Sequence, residues 1–173
     1  MALPVFTNDQ IAHQLTNGYA LSVGETPRHF NAAPGGVLTV NVSLLPTEAQ
    51  TLARAALLTW SEATGITFSE VFLGAQITFR DNEEGAFASD FYSGGFITSA
   101  TVNISAQWLA DNGTGIDSYS YQTYLHEIGH ALGLGHAGNY NGDATYGVSN
   151  HYLNDSWQAT VMSYFSQSEN THI

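Results

Sequence analysis

The sequence predicts an α+β domain with an ordered α/β upper half and an irregular lower half, and three observations predict it. Between Gly36 and Arg80 an alternating apolar segment, an amphipathic helical stripe and further β-rich segments follow one another, the order of a strand–helix–strand crossover. A second amphipathic helix is expected to start between Asp117 and Ser120 and to end at Gly133. Beyond Gly133 the chain is rich in Gly, Asn, Ser and Tyr and carries little periodicity. At 173 residues, 43% hydrophobic and 10% charged, it is long enough to bury a core as one domain. No internal repeat, linker or low-complexity tract divides it.

Composition narrows the function classes. Arg28, Arg54 and Arg80 are the only basic residues besides histidine, lysine is absent, and fifteen acids bring the net charge to −12. Nucleic acid is therefore not an expected partner, because phosphate binding runs on Lys and Arg. An anionic membrane surface is disfavoured for the same reason. The absence of cysteine removes disulfides, thiolate zinc sites and a catalytic thiol. The opening MALPVFTNDQIAHQ has no basic n-region and no apolar h-region, so no secretory signal of the usual kind is read. No apolar run is long enough to span a bilayer.

Taken in order, Thr7 with Gln10 forms a capping-box pattern that opens a short helix. In GVLTVNVSLL, Leu38, Val40, Val42 and Leu44 alternate with Thr39, Asn41 and Ser43, the pattern of a half-buried strand. Thr47 with Gln50 offers a second capping box, and Gly65 lies just past the end of the helix that follows. The stripe on that helix is Leu52, Ala55, Ala56, Trp60 and Ala63. ITFSEV and AQITFR are expected as strands, with FASDFY and SATVNIS as weaker candidates. EGAFASDFY is the candidate edge strand. DNGTGID reads as a loop; Asp111, Asn112 and Asp117 miss the spacing of a calcium loop and lack its closing Glu, so a solvated turn is preferred.

The chemistry is concentrated in HEIGHALGLGH, His126 to His136. Tyr121, Tyr124, Leu125, Ile128 and Leu132 give the helix an apolar stripe, and His126 and His130 share a different face one turn apart. That spacing sets two imidazoles against one ion. Glu127 is offset by about 100°, so it can reach a metal-bound water without displacing a ligand. Gly133 can adopt the left-handed conformation that turns the chain and returns His136 to the same ion. Three histidines leave a fourth position for water, which is the pattern of a catalytic rather than a structural zinc. A bare HExxH arises by chance on amphipathic helices; the extended spacing is far harder to obtain accidentally. His13, His29, His151 and His172 have no partner at ligand spacing and are read as surface or locally bonded.

The extended motif resembles the signature of metzincin zinc peptidases. Met162 in ATVMSYF matches the methionine turn of that family, as an apolar floor beneath the metal. Tyr164 resembles the tyrosine of the serralysin and astacin branches, an additional zinc ligand that can swing away. HEIGHALGLGH through NYN to VMSYF looks like serralysins specifically, and so do FNAAPGGVLTVNVS, ALLTWSEATGITF and AQITFRDN upstream. The resemblance implies a zincin-like α+β fold: a twisted, mainly parallel five-stranded sheet, two long helices above the cleft and an irregular lower subdomain. Residues 1–173 would form one catalytic domain, with a lead-in at 1–30, an upper part at 35–134 and a lower part at 135–173. Where serralysins carry Pro-Gly-Asp after the third histidine, this chain has Ala137, Gly138 and Asn139.

The expected function is zinc-dependent endopeptidase action on extracellular proteins. His126, His130, His136 and the movable Tyr164 hold one Zn²⁺; Glu127 is general base and then acid; Tyr164 donates to the oxyanion. The alternative is a non-catalytic zinc-containing binding or structural module, or a fragment that needs a further C-terminal portion. No glycine-rich calcium repeat occurs, so Ca²⁺ is expected only in a C-terminal region beyond this sequence. The partners expected are a protein or peptide substrate, with a C-terminal fragment or a proteinaceous inhibitor also open; a block by the first thirty or so residues is a further option. A secreted location follows from the resemblance alone.

Overall fold

The computed structural model describes residues 3–172. Met1 and Ala2 of the stretch read for a leader, and Ile173 at the end of the expected domain span, fall outside the described residues. In chain order the elements are α1 (Asn8–His13), a π-helical turn (Gln14–Gly18), α2 (Tyr19–Ser22), β1 (His29–Phe30), β2 (Val37–Asn41), α3 (Thr47–Thr64), β3 (Thr67–Glu70), β4 (Ile77–Arg80), β5 (Ala86–Ser93), β6 (Phe96–Ile104), α4 (Ala106–Asn112) and α5 (Tyr119–Ala131). They fall into two compact units, one of residues 29–132 and one joining the chain up to 28 with the chain from 133 onward.

The discontinuous unit begins with the expected capping box. The Thr7 hydroxyl accepts from the Gln10 N–H, and the Gln10 side chain accepts from the Thr7 N–H. Helical backbone then runs on past His13 through the π-helical turn into α2, further than the short helix expected. Ile11 is buried with Ala137, Tyr140, Tyr152 and Phe165 in a small, largely aromatic core. Phe6 stacks on Tyr152 with ring centroids 4.3 Å apart. From 133 onward the described residues contain neither helix nor strand, and turns and side chains together satisfy the backbone. Asn154 does so for Phe6, accepting its N–H at 2.8 Å and donating to its carbonyl at 2.9 Å. Asn170, 1% exposed, donates to the carbonyls of Leu153 and Asp155.

The unit of residues 29–132 is built on a six-stranded sheet in the order β1-β6-β4-β2-β3, with β5 paired to β6. Every pairing is parallel except β5–β6. The mainly parallel sheet is as expected; the two-residue β1, too short to show a period, makes the sixth strand. β2, α3 and β3 form the expected crossover. Leu38, Val40 and Val42 are each 1% exposed and lie in the core. Leu44, read with them, is instead 56% exposed. The strand has already ended at Asn41, whose side chain accepts from the Ser43 N–H and hydroxyl and turns the chain before Pro46.

Two readings of α3 are corrected. Pro46, not Thr47, occupies the cap position and no side chain caps the helix; Gln50 donates to the Leu45 carbonyl. Thr47 is already helical, so no capping box forms. The buried face is Ala49, Leu52, Ala53, Ala56 and Leu57, with Trp60 packed at its end; Ala63 is exposed. Gly65 closes the helix at φ 72° as expected. β5 and β6, the weakest strand candidates, are the longest strands. Their pairing carries a register shift between Phe91 and Tyr92, and these adjacent residues are 77% and 50% exposed, which blurs the alternation. The helix α4 was not anticipated. Ser105 caps it by accepting from the Trp108 N–H, and Gly113 ends it, so the signal was present. Asp111 and Asn112 consequently belong to its last turn, and the loop begins only at Gly113.

Leu52, Ala53 and Ala56 from α3 and Tyr124 and Ile128 from α5 cover Leu38, Val40, Ile77, Phe79 and Val102 of the sheet. Among the described residues no helix is long and apolar enough to cross a membrane.

Candidate metal centre

Helix α5 is fixed before its histidines are reached. The Ser118 hydroxyl accepts from the Tyr121 N–H, which places the start of the helix inside the expected window. The Trp60 indole of α3 donates to the Leu125 carbonyl at 3.0 Å, one residue ahead of His126. The Trp108 indole of α4 donates to the Thr123 hydroxyl at 3.1 Å, and Thr59 and Tyr121 share a hydrogen bond of 2.9 Å. Two neighbouring helices therefore grip α5 along the turns leading to the motif.

His126 and His130 converge as their four-residue spacing requires: their Nε2 atoms are 3.0 Å apart and their rings meet at 87°. Glu127, between them in sequence, is 7% exposed. Burial pushes its carboxyl up to about 7, and the Ala88 backbone N–H on β5 pulls the other way. The helix ends where the Leu132 N–H bonds to the Ile128 carbonyl, and Gly133 follows at φ 105°. A side chain at that dihedral would be strained. Over the short segment from His126 to His136, one nitrogen from each of His126, His130 and His136 lies within 4.8 Å of the others.

His136 is 4% exposed and surrounded by tyrosine. The ring centroids of Tyr19, Tyr140 and Tyr164 lie 5.0, 5.7 and 4.6 Å from its own. Its loop is held from two sides. The Gly135 N–H donates to the Leu15 carbonyl at 2.7 Å, and the Ala137 N–H donates to the Met162 carbonyl at 3.1 Å. Met162 itself is fully buried. The methionine therefore meets the third histidine through backbone, one residue after it. His13, His29, His151 and His172 are exposed, and His29 bonds locally to the Phe30 carbonyl.

The donor set fits zinc. Three imidazoles with nitrogens this close suit a borderline-soft divalent ion, and a closed structural site would ordinarily draw on cysteine, which the chain lacks. Among the described residues no other group of three His, Cys, Asp or Glu side chains converges in this way. Sequence reasoning missed Tyr19, Tyr140 and Asp155. None lies at ligand spacing, and only the packing around His136 and Tyr164 brings them forward.

Similarity to known proteins runs the same way. Residues 37–150 match the family model Peptidase_M10, the matrixins. Serralysin B of Dickeya chrysanthemi is 34% identical over 155 residues, covering 82% of this chain and 32% of that protein. Serralysin of Photorhabdus sp. (strain Az29) is 33% identical over 133 residues, covering 69% of this chain and 27% of that protein. The solved structure of myroilysin is 26% identical, covers 60% of this chain and 50% of that one, and superposes at a TM-score of 0.39, too low to bear on the fold. The mainly parallel sheet, the histidine cluster and the family match are together of the metzincin type. The chain belongs to the matrixin family, Peptidase_M10, as a serralysin-like member. It spans about a third or less of the length of these serralysins.

Proposed function

We propose that the chain is the catalytic domain of a zinc-dependent endopeptidase that hydrolyses peptide bonds in extracellular proteins. The observation that carries this reading is the convergence of His126, His130 and His136 in a motif whose helix also buries Glu127. Zinc bound by these histidines would supply a Lewis acid for the scissile carbonyl and would lower the pKa of a water toward neutrality.

The protein groups do the rest. Glu127, pushed up to about 7, can take a proton from the attacking water near neutral pH and return it to the leaving amine. Tyr164 would be a further ligand to that zinc, and its phenol could donate a hydrogen bond to the substrate oxygen. Met162 is the apolar floor, and Gly133 makes the turn on which the third ligand depends. Substrate enters extended along β5, which pairs only with β6 among the described strands and so offers an edge for strand addition. One zinc per chain suffices. Calcium, a C-terminal portion or a proteinaceous inhibitor would be features of a longer parent protein.

Glu127→Ala tests this proposal. The variant should keep one zinc per chain by metal analysis and lose at least about 100-fold in turnover of a peptide substrate. Unchanged turnover with zinc retained would overturn the assignment.

A further inference from the structure

Tyr164 is held in an unusual way for a residue whose side chain is to move. The Trp157 indole donates to the Ser163 carbonyl at 3.0 Å. The Phe165 N–H donates to the Ser163 hydroxyl at 3.1 Å, and the Trp157 N–H to the Phe165 carbonyl at 2.9 Å. The Tyr164 N–H itself donates to the Tyr140 hydroxyl at 3.4 Å. The backbone is thus pinned before, at and after Tyr164, while its side chain is only partly buried. Motion is left to the side-chain torsions, pivoting on a fixed Cα.

These ties converge on one buried carboxylate. Asp155 is 0% exposed. Its Oδ1 accepts from the Tyr140 hydroxyl at 3.0 Å and from the Ser163 hydroxyl at 2.7 Å, and its Oδ2 is 3.2 Å from the same Tyr140 oxygen. Burying a carboxylate is costly unless donors surround it. Here the donors are the residue immediately before Tyr164 and the phenol that receives the Tyr164 N–H. The Tyr140 ring also lies 4.8 Å from the Tyr164 ring and 5.7 Å from that of His136. Space for it comes from Gly138, where an added Cβ would sit 2.4 Å from Tyr140 Cε1 and 3.3 Å from Asp155 Oδ2. The chain therefore leaves position 138 without a side chain and fills the gap with the phenol.

We infer that Tyr140, oriented by Asp155, is a positioning residue for Tyr164: it fixes the pivot about which the movable phenol reaches the metal or the substrate. The Tyr140 hydroxyl donates to the Asp155 carboxylate, which leaves a lone pair of the same oxygen for the Tyr164 N–H. In this role Tyr140 acts through Tyr164. The inference rests on the proposed role of Tyr164, and its test separates the two.

The experiment is a double-mutant cycle of Tyr140→Phe and Tyr164→Phe in the zinc-loaded chain, read by kcat and KM. The absorption spectrum of the cobalt-substituted chain supplies a second readout, independent of turnover. Tyr140→Phe keeps the ring and should lower kcat about fivefold, the size of one lost neutral hydrogen bond, with KM within about twofold. Its cobalt spectrum should move in the direction of that of Tyr164→Phe. Asp155→Asn should act in the same sense. In the Tyr164→Phe background, Tyr140→Phe should add nothing. Equal losses in both backgrounds would make Tyr140 a general structural residue, and an unchanged kcat and spectrum would also overturn the inference. If Tyr164→Phe alone leaves kcat and the spectrum unchanged, the role of Tyr164 itself fails instead.

Discussion

Glu127 and Asp155 are both buried carboxylates, and their surroundings divide them. Asp155 is ringed by hydroxyls from Tyr140 and Ser163, which counter the upward push of burial. Glu127 has the Ala88 N–H against burial and is pushed up to about 7. At the surface, Arg54 binds Glu70 through two bonds of 2.6 and 2.9 Å and holds its carboxyl below the usual range. A lowered folded pKa contributes stability above the unfolded value of about 4.3, lost as pH falls through the folded one. With each side chain nearly half exposed, the pair contributes less than about 1 kcal/mol. Arg54→Ala should therefore lower the urea midpoint slightly at pH 7, and the difference should vanish in acid once Glu70 is protonated. A pH-independent difference would show that the ion pair is not its source.

At the scale of elements, the helices and central strands of the upper half were legible where period and punctuation agreed. Gly65, Gly133 and the start of α5 stood where the sequence put them. What could not be read was decided by tertiary context. Leu44 keeps the strand alternation but follows a turn made by the Asn41 side chain. The capping residues at Thr47 and Gln50 are present, yet Pro46 takes the cap position and Gln50 turns to Leu45. α4 carries its cap, Ser105, in the sequence, but the acidic, glycine-containing run after it reads as loop. The HEIGHALGLGH spacing was legible because a helix converts it directly into geometry. Tyr140 and Asp155 were not, because nothing local relates them to Tyr164. Ser118 is the cap on which the entry to α5 depends. Ser118→Ala should cost about 1 kcal/mol in urea unfolding; no measurable loss would mean that the grip of Trp60 and Trp108 sets the helix without it.

For the whole molecule, a net charge of −12 without lysine disfavours a phosphate-backbone partner. The family match over residues 37–150 covers β2 to β6, α3 and the whole histidine motif, whereas β1, Met162 and Tyr164 lie outside it. The roles proposed for Met162 and Tyr164 rest on the serralysin resemblance and on their contacts with the His136 loop. The central claim is that these 173 residues hold one catalytic zinc and cleave peptide bonds with it. The most direct measurement is cleavage of a quenched casein substrate by this chain before and after a zinc chelator, with zinc content measured in parallel. The account predicts cleavage that falls to background on chelation and returns when zinc is restored. Cleavage that survives complete removal of zinc, or none at all from a chain carrying one zinc, would contradict it.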